Sequence, residues 1–588
     1  MQPKNRFSRR TMIVRAAAVL ITFCSTSILI SCPNDVPSDR RRLEAELMPV
    51  VERYQSKELE PGFGICLFDT EGPLWSYYYG YADTNRKIPF SGKTVFWTGN
   101  VSELAVAAKI LQLSDAGKIH INDPISRYIP DFFKGAVPGS GFAKIADAQI
   151  EDILSHLTGI AADYSSLDYV NYEPLRNLKE FLVDAGEGFP PGSRYTHAGA
   201  LFDLLGILIE KTEGKPFGDA MKEGIFHPLG MESTSFKYHS SLFDATLNYK
   251  SRDTNPFETK MLDFQNVEIP SNSMRSTIED LIPFYSGLID EEEDRPFLSH
   301  VSIRKMFTTK SEYSLARQGK KIGYVWMLSL PELSHLGEIA WYNGRYLSNR
   351  NVIILARDLG IGVVCATNSW EIIETESILD LAVETLNKYA ETELGIAIKR
   401  IELPSVERVP PGIVDSLKGV FASPFGVYAF VFDEASAELA LEDSSAHLEY
   451  RGRGGFYMKG DSDIEIISAG PEGYITIYKK NDTIDTAAKV RHSPYESMWV
   501  SRTGTYRIRD SSKLPAFNLY AFSLNMKQNA LVVSSGDAKE YLVVPSSPYE
   551  AKVLCNASSI FFGKTLKVSD DSGLMIEGVA FEKTRGGS

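Results

Sequence analysis

Cysteine is scarce in this chain. There are five in 588 residues, and two of them, Cys24 and Cys32, fall at the very start. Cys66, Cys365 and Cys555 remain for the body, too few for a disulfide scaffold. Histidine is scarce as well, with nine in all, and no cysteine or histidine spacing suggests a metal site. No metal and no cofactor is therefore expected. Positive charge is in deficit: the net charge is −14 and no basic stripe runs along the chain. That argues against nucleic acid as a partner and for a solvated acidic surface. There is no phosphate-binding loop and no long repeat array.

What is present begins with a basic start. Lys4, Arg6, Arg9, Arg10 and Arg15 precede an apolar run from Ala16 to Ile30, which ends in Leu29-Ile30-Ser31-Cys32. The run is shorter than the roughly 20 apolar residues a spanning helix needs. A charged start, a short apolar core and small residues before a cleavage point describe an export signal over residues 1–32. It resembles a bacterial lipoprotein signal, with Cys32 lipidated. Ser8-Arg9-Arg10 also resembles part of a twin-arginine signal. The alternative is an uncleaved single-span anchor. Either places the body outside the cytoplasm, held to a membrane of the bacterial cell envelope. Residues 33–39 then form a polar tether, and Arg40 to Gln55 reads as a first amphipathic helix.

Residues 40–395 alternate strand and helix patterns. Pro61 to Asp69 and Trp75 to Ala82 read as strands, and Leu104 to Leu113 has apolar residues at helical spacing. Between them lies Phe96-Trp97-Thr98-Gly99-Asn100-Val101-Ser102-Glu103. Further on come Gly117-Lys118-Ile119, Asn122-Asp123-Pro124, Leu154-Ser155-His156-Leu157-Thr158-Gly159, Pro228-Leu229-Gly230-Met231 and Ser276 to Asp280. In this order and spacing the blocks resemble the serine β-lactamase and penicillin-binding-protein family, in its class C and esterase-like branch. The resemblance implies an α/β (α+β) domain: an antiparallel sheet flanked by helices, plus a helical subdomain. In the resembled fold Cys66 and Cys365 lie on neighbouring strands; buried free thiols are expected, with a disulfide as the alternative.

The resemblance also implies three motifs, and this chain departs from each. Where the family has a serine nucleophile and a lysine three residues on, the chain has Asn100 and Glu103. An amide cannot attack a carbonyl, and a carboxylate reverses the lysine's charge. Ser102 is the nearest substitute nucleophile, but two positions along a helix faces elsewhere. Where the family has Tyr-x-Asn, counting from both sides gives His197-Ala198-Gly199. Where it has Lys-Thr-Gly or His-x-Gly, the slot falls at Tyr342-Asn343-Gly344, which keeps only the glycine. Glu103 and His197 stand where the family's lysine and tyrosine face each other. They are expected to pair, as a structural filling of the old site or as an acid–base dyad or ligand contact. Trp97, Trp341 and Tyr346 flank the slots and, with Ser102, are the candidates for ligand contact.

A proline-marked linker follows at 396–412. Beyond it short alternating strands recur between Gly, Asp and Ser, so the rest is all-β, in units at 413–490 and 491–588 with a faint likeness to each other. Such barrel- or lipocalin-like appendages are common in the resembled family. The expectation is a β-lactamase-related lipoprotein without catalysis, binding a small ligand, a cell-wall fragment or a protein partner. The alternative is a working serine hydrolase with a displaced nucleophile.

Overall fold

A computed structural model describes the chain from Ser38 to Thr584. Residues 55–60, 161–177, 180–181, 183–190, 193–194, 238–268, 290–294, 296, 314–319, 347, 370–377 and 400–404 are excepted, as are several short segments beyond residue 423. The leader, Cys32 and most of the tether lie outside the described residues.

Five antiparallel strands form the central sheet: β1 (Phe63–Asp69), β2 (Pro73–Tyr79), β3 (Ile339–Tyr346), β4 (Asn349–Ala356) and β5 (Ile361–Thr367). Their order is β2-β1-β5-β4-β3. The central strands β1 and β5 are apolar and buried nearly throughout, as two-sided coverage requires. Side chains alternate between faces, so each strand feeds two cores. Cys66, Phe68, Tyr342, Ile353 and Val364 enter one core. Ile65, Leu67, Trp341, Val352 and Cys365 enter the other.

The second core is closed by α1 (Ser38–Glu52), whose Leu43, Leu47, Val50 and Val51 meet α5 (Ile378–Glu393). The first is covered by α2 (Ser102–Asp115), α3 (Gly199–Glu213) and α4 (Ile278–Ile289). Thr277 caps α4: its hydroxyl accepts from the Asp280 N–H at 3.0 Å, as expected of the Ser276–Asp280 block. This is the fold of helices on an antiparallel sheet that the motif order implied.

The all-β region resolves into two closed eight-stranded barrels. The first runs from Val420–Ser423 to Asp482–Lys489 and closes through Phe421 opposite Lys489. The strand Asp482–Lys489 pairs on one side with Tyr474–Lys479 and on the other with the first strand, which closes the ring. The second runs from Gly504–Ile508 to Val579–Lys583, and Tyr506 pairs with Lys583. Closure leaves no free strand edges. The second interior is filled by Tyr506, Phe522, Leu531, Tyr541, Phe581 and Trp499, the last from the short helix Glu496–Val500. Part of the segment read as linker belongs to the first barrel. Glu407 donates its N–H to the Tyr450 carbonyl at 2.8 Å, and Val409 joins that barrel's core.

Strand parity also decides the thiols. Cys66 lies opposite Val364, and Ile65 lies opposite Cys365. The two sulfurs thus project into opposite cores, and both cysteines are free. Burial raises the Cys66 thiol to about 11, even though the Ser76 hydroxyl partly offsets it. Burial also raises Cys365 well above its usual range. Both are therefore expected to resist a thiol reagent in the folded protein and to react together on unfolding in urea. A thiol at 66 or 365 that stays blocked after unfolding without reductant would contradict this.

Candidate functional site

Four separate segments converge on the carboxylate of Glu103. The first is the turn before α2. Gly99 has φ +56°, and a Cβ there would lie 2.4 Å from the Arg345 backbone. A Cβ on Gly344 would lie 1.9 Å from the Thr98 carbonyl. Glycine at both positions lets the turn lie directly on β3. The Asn351 side-chain amide fixes the contact by donating to the Thr98 carbonyl at 2.9 Å. Glu103 then sits in the first turn of α2, where the helix N-terminus favours an anion.

The second segment is β3. Tyr342 shares a face with Gly344 and Tyr346, and its hydroxyl donates to Glu103 Oε2 at 2.7 Å. The third is the turn carrying His156. This residue has φ +55°, left-handed for a non-glycine residue, a conformation that costs on the order of 1 kcal/mol. Its Nε2 lies 3.3 Å from Glu103 Oε2, and its Nδ1 accepts from the Ala198 N–H at 3.4 Å. The fourth is the entrance to α3, where His197 Nε2 lies 3.4 Å from Glu103 Oε1. The two imidazoles lie 4.7 Å apart, and the Asn100 amide nitrogen is 2.9 Å from His197 Nε2.

Glu103, His156, His197 and Tyr342 are all buried, while Asn100 is half-buried. Burial alone would raise the Glu103 carboxyl. The neighbouring charges of His197 and His156 outweigh it and bring it down to about 2. Glu103 is thus an anion over the whole neutral range.

The six slot residues behave differently. Asn100, Glu103, His197 and Tyr342 form one connected cluster. Gly199 heads α3 and is buried, and Gly344 serves the backbone approach just described. Two ligand-contact candidates are corrected. Ser102 is fully buried: its hydroxyl donates to the Gly99 carbonyl at 2.6 Å, accepts from the Met274 N–H at 3.1 Å and lies 3.2 Å from the Thr98 hydroxyl. It is tied down as a helix-start serine. Trp341 points to the opposite face from Tyr342, and its indole donates to the Ser329 carbonyl at 2.9 Å. Trp97 and Tyr346 do lie together, stacked 4.7 Å apart, with the Arg275 guanidinium 5.0 Å over Trp97. Tyr346 is buried and Trp97 half-buried, so they do not present an open aromatic face.

His156 was not singled out from the sequence. It lies in the Leu154–Gly159 block that carried the resemblance, but its partners come from α2 and α3 and so do not show in that block. With it, Glu103, His156 and His197 form a three-donor group whose ligand atoms lie within 4.8 Å of one another. The expectation that no metal site is present rested on spacing along the chain, and that spacing does not register this grouping.

The sheet, its covering helices and the position of the cluster at the start of α2 define a serine-hydrolase-type fold of the β-lactamase kind. A family model described as Beta-lactamase matches residues 50–383, more than half of the chain, and the chain belongs to that family. Protein flp of Staphylococcus aureus is 24% identical over 242 residues, 40% of this chain and 47% of that protein. Penicillin-binding protein 4 of Amycolatopsis lactamdurans is 25% identical over 186 residues, 31% of this chain and 47% of that protein. The chain thus spans about half the length of the curated relatives it matches. Among solved structures, the octameric penicillin-binding protein homologue from Pyrococcus abyssi covers 93% of this chain and all of its own, with TM-score 0.50 and 16% identity. A SurE crystal structure reaches TM-score 0.57 over 77% of this chain and 99% of its own, at 16% identity. These likenesses concern the fold.

The position of the Glu103 carboxyl fixes a pH dependence. Its proton affinity is lower folded (about 2) than in an ordinary carboxyl (4.5). Its contribution to stability is therefore complete above about pH 4.5 and is lost as pH falls toward 2. Linkage makes that loss about 2 kcal/mol by roughly pH 3. Urea unfolding between about pH 6 and pH 3 is expected to cost the wild type that much more stability than Glu103→Gln. Equal losses in the two proteins would show that Glu103 is not held as an anion.

Proposed function

We propose that this chain is a member of the β-lactamase family that performs no acyl transfer and acts by non-covalent binding. The observation that carries the reading is the fully buried Glu103 carboxylate, bonded by Tyr342 and flanked by His156 and His197. It stands at the slot where the family's lysine would activate a serine, while Asn100 stands at the serine. Acyl transfer develops negative charge on the substrate oxygen. A fixed buried anion at the start of α2 opposes that charge.

The rival chemistries fare worse. Ser102 has its hydroxyl committed to backbone partners, with no base among them. Glu103 is too weak a base to take a proton at neutral pH, because useful general bases sit near the working pH. An acid–base dyad of Glu103 and His197 is disfavoured on the same ground. The leader supports an envelope setting, with Cys32 as the lipid attachment and the body facing cell-wall material or another envelope protein. The barrels then serve as docking surfaces beside a silent pocket.

Intact-mass spectrometry after incubation with a penicillin, a cephalosporin and a fluorophosphonate is expected to show unmodified protein. Nitrocefin and p-nitrophenyl esters are expected to hydrolyse no faster than in buffer. An adduct on the wild type, or turnover that disappears in Ser102→Ala, would replace this reading with that of an active hydrolase.

A further inference from the structure

We infer that Glu103, His156 and His197 constitute a binding site for a divalent transition metal, best matched to Zn²⁺, with the Asn100 side-chain oxygen as fourth ligand. The non-acylating reading does not depend on this site.

The donor chemistry comes first. Two imidazoles and one carboxylate form a mixed nitrogen and oxygen set of the kind that holds Zn²⁺. The spacing comes next. Ligands at about 2.0–2.1 Å from a tetrahedral Zn²⁺ lie about 3.3 Å from one another. Glu103 Oε1 lies 3.4 Å from His197 Nε2, and Glu103 Oε2 lies 3.3 Å from His156 Nε2. A charge-assisted hydrogen bond between imidazolium and carboxylate closes to about 2.7–2.9 Å. Each imidazole thus stands farther from the carboxylate than direct pairing would draw it, one at each oxygen, and the three groups offer ligand atoms within 4.8 Å of one another, which a small movement brings onto one ion.

A third observation points to the same place. Glu103 Oε1 is a fully buried carboxylate oxygen that accepts no hydrogen bond. Buried oxygens of an anion are rarely left so. The other oxygen is held by the Tyr342 hydroxyl at 2.7 Å, which orients the carboxylate as outer partners of metal ligands do. The unbonded oxygen is the one turned toward His197.

Two adjustments accompany binding. The Asn100 amide lies 2.9 Å from His197 Nε2, and rotating it by half a turn presents its oxygen on the half-exposed side of the cluster, which gives an ion its entry. His156 must offer Nε2 and carry its proton on Nδ1, opening the contact with the Ala198 N–H. At 3.4 Å that contact is long beside the roughly 2.7–3.2 Å of ordinary N–H bonds, so little is lost.

The test uses the full chain without an affinity tag, dialysed against EDTA and titrated with CoCl₂ and then ZnCl₂. The expected result is a single equivalent of Co²⁺ with the strong visible bands of a tetrahedral site, displaced by Zn²⁺, and a Zn²⁺-dependent rise in melting temperature. His197→Ala and Glu103→Gln are expected to abolish uptake, and Tyr342→Phe to weaken it roughly 10–100-fold. Asn100→Ala lies on the half-exposed side, so it tests the site even where a buried variant fails to fold, and it is expected to weaken binding. Absence of stoichiometric uptake by the wild type overturns the proposal. So does uptake that the His197 and Asn100 variants leave unchanged. Neither failure touches the absence of acylation, which the mass measurement decides separately.

Discussion

The burial of one negative charge governs this site. A carboxylate taken out of water and left without partners costs several kcal/mol, so the surroundings of Glu103 must compensate it. They do so from four directions: the N-terminus of α2, the hydroxyl of Tyr342 on β3, and imidazoles from the His156 turn and the head of α3. None of these segments is adjacent in sequence. The anion therefore ties the sheet edge to the helical layer at the point where the family's catalytic groups would meet. A lysine at the same place would face the helix N-terminus with like sign and would meet two histidines. The residues at 100, 103, 197 and 342 therefore act as one coupled unit.

Much of this was legible in the chain, for physical reasons that differ by element. The fold showed through because its strands are apolar on both faces and its turn blocks keep their order. Glu103 and His197 could be placed because both are anchored to helix starts with clear flanking patterns. Strand parity then separates residues that look equivalent on paper. Trp341 and Tyr342 are neighbours in sequence, yet one enters the second core and the other touches Glu103. The same parity sends Cys66 and Cys365 to opposite faces. His156 escaped because its role depends on a left-handed backbone conformation, which no spacing rule reports.

Two glycines explain why the frame does not depend on the side chains of the cluster. Gly99 and Gly344 let the turn before α2 lie on β3 with backbone atoms closer than any side chain allows. That approach depends on main-chain shape and on Asn351, not on the residues at 100, 103 or 197. The side chains lining it were therefore free to change character, provided that their charges and hydrogen bonds still balanced. A serine and lysine satisfy the balance in one way, and Asn100, Glu103, His156, His197 and Tyr342 satisfy it in another. The second arrangement reverses the sign of charge at the head of α2. A buried carboxylate at that position disfavours a developing oxyanion and favours cations and hydrogen-bond donors beside it.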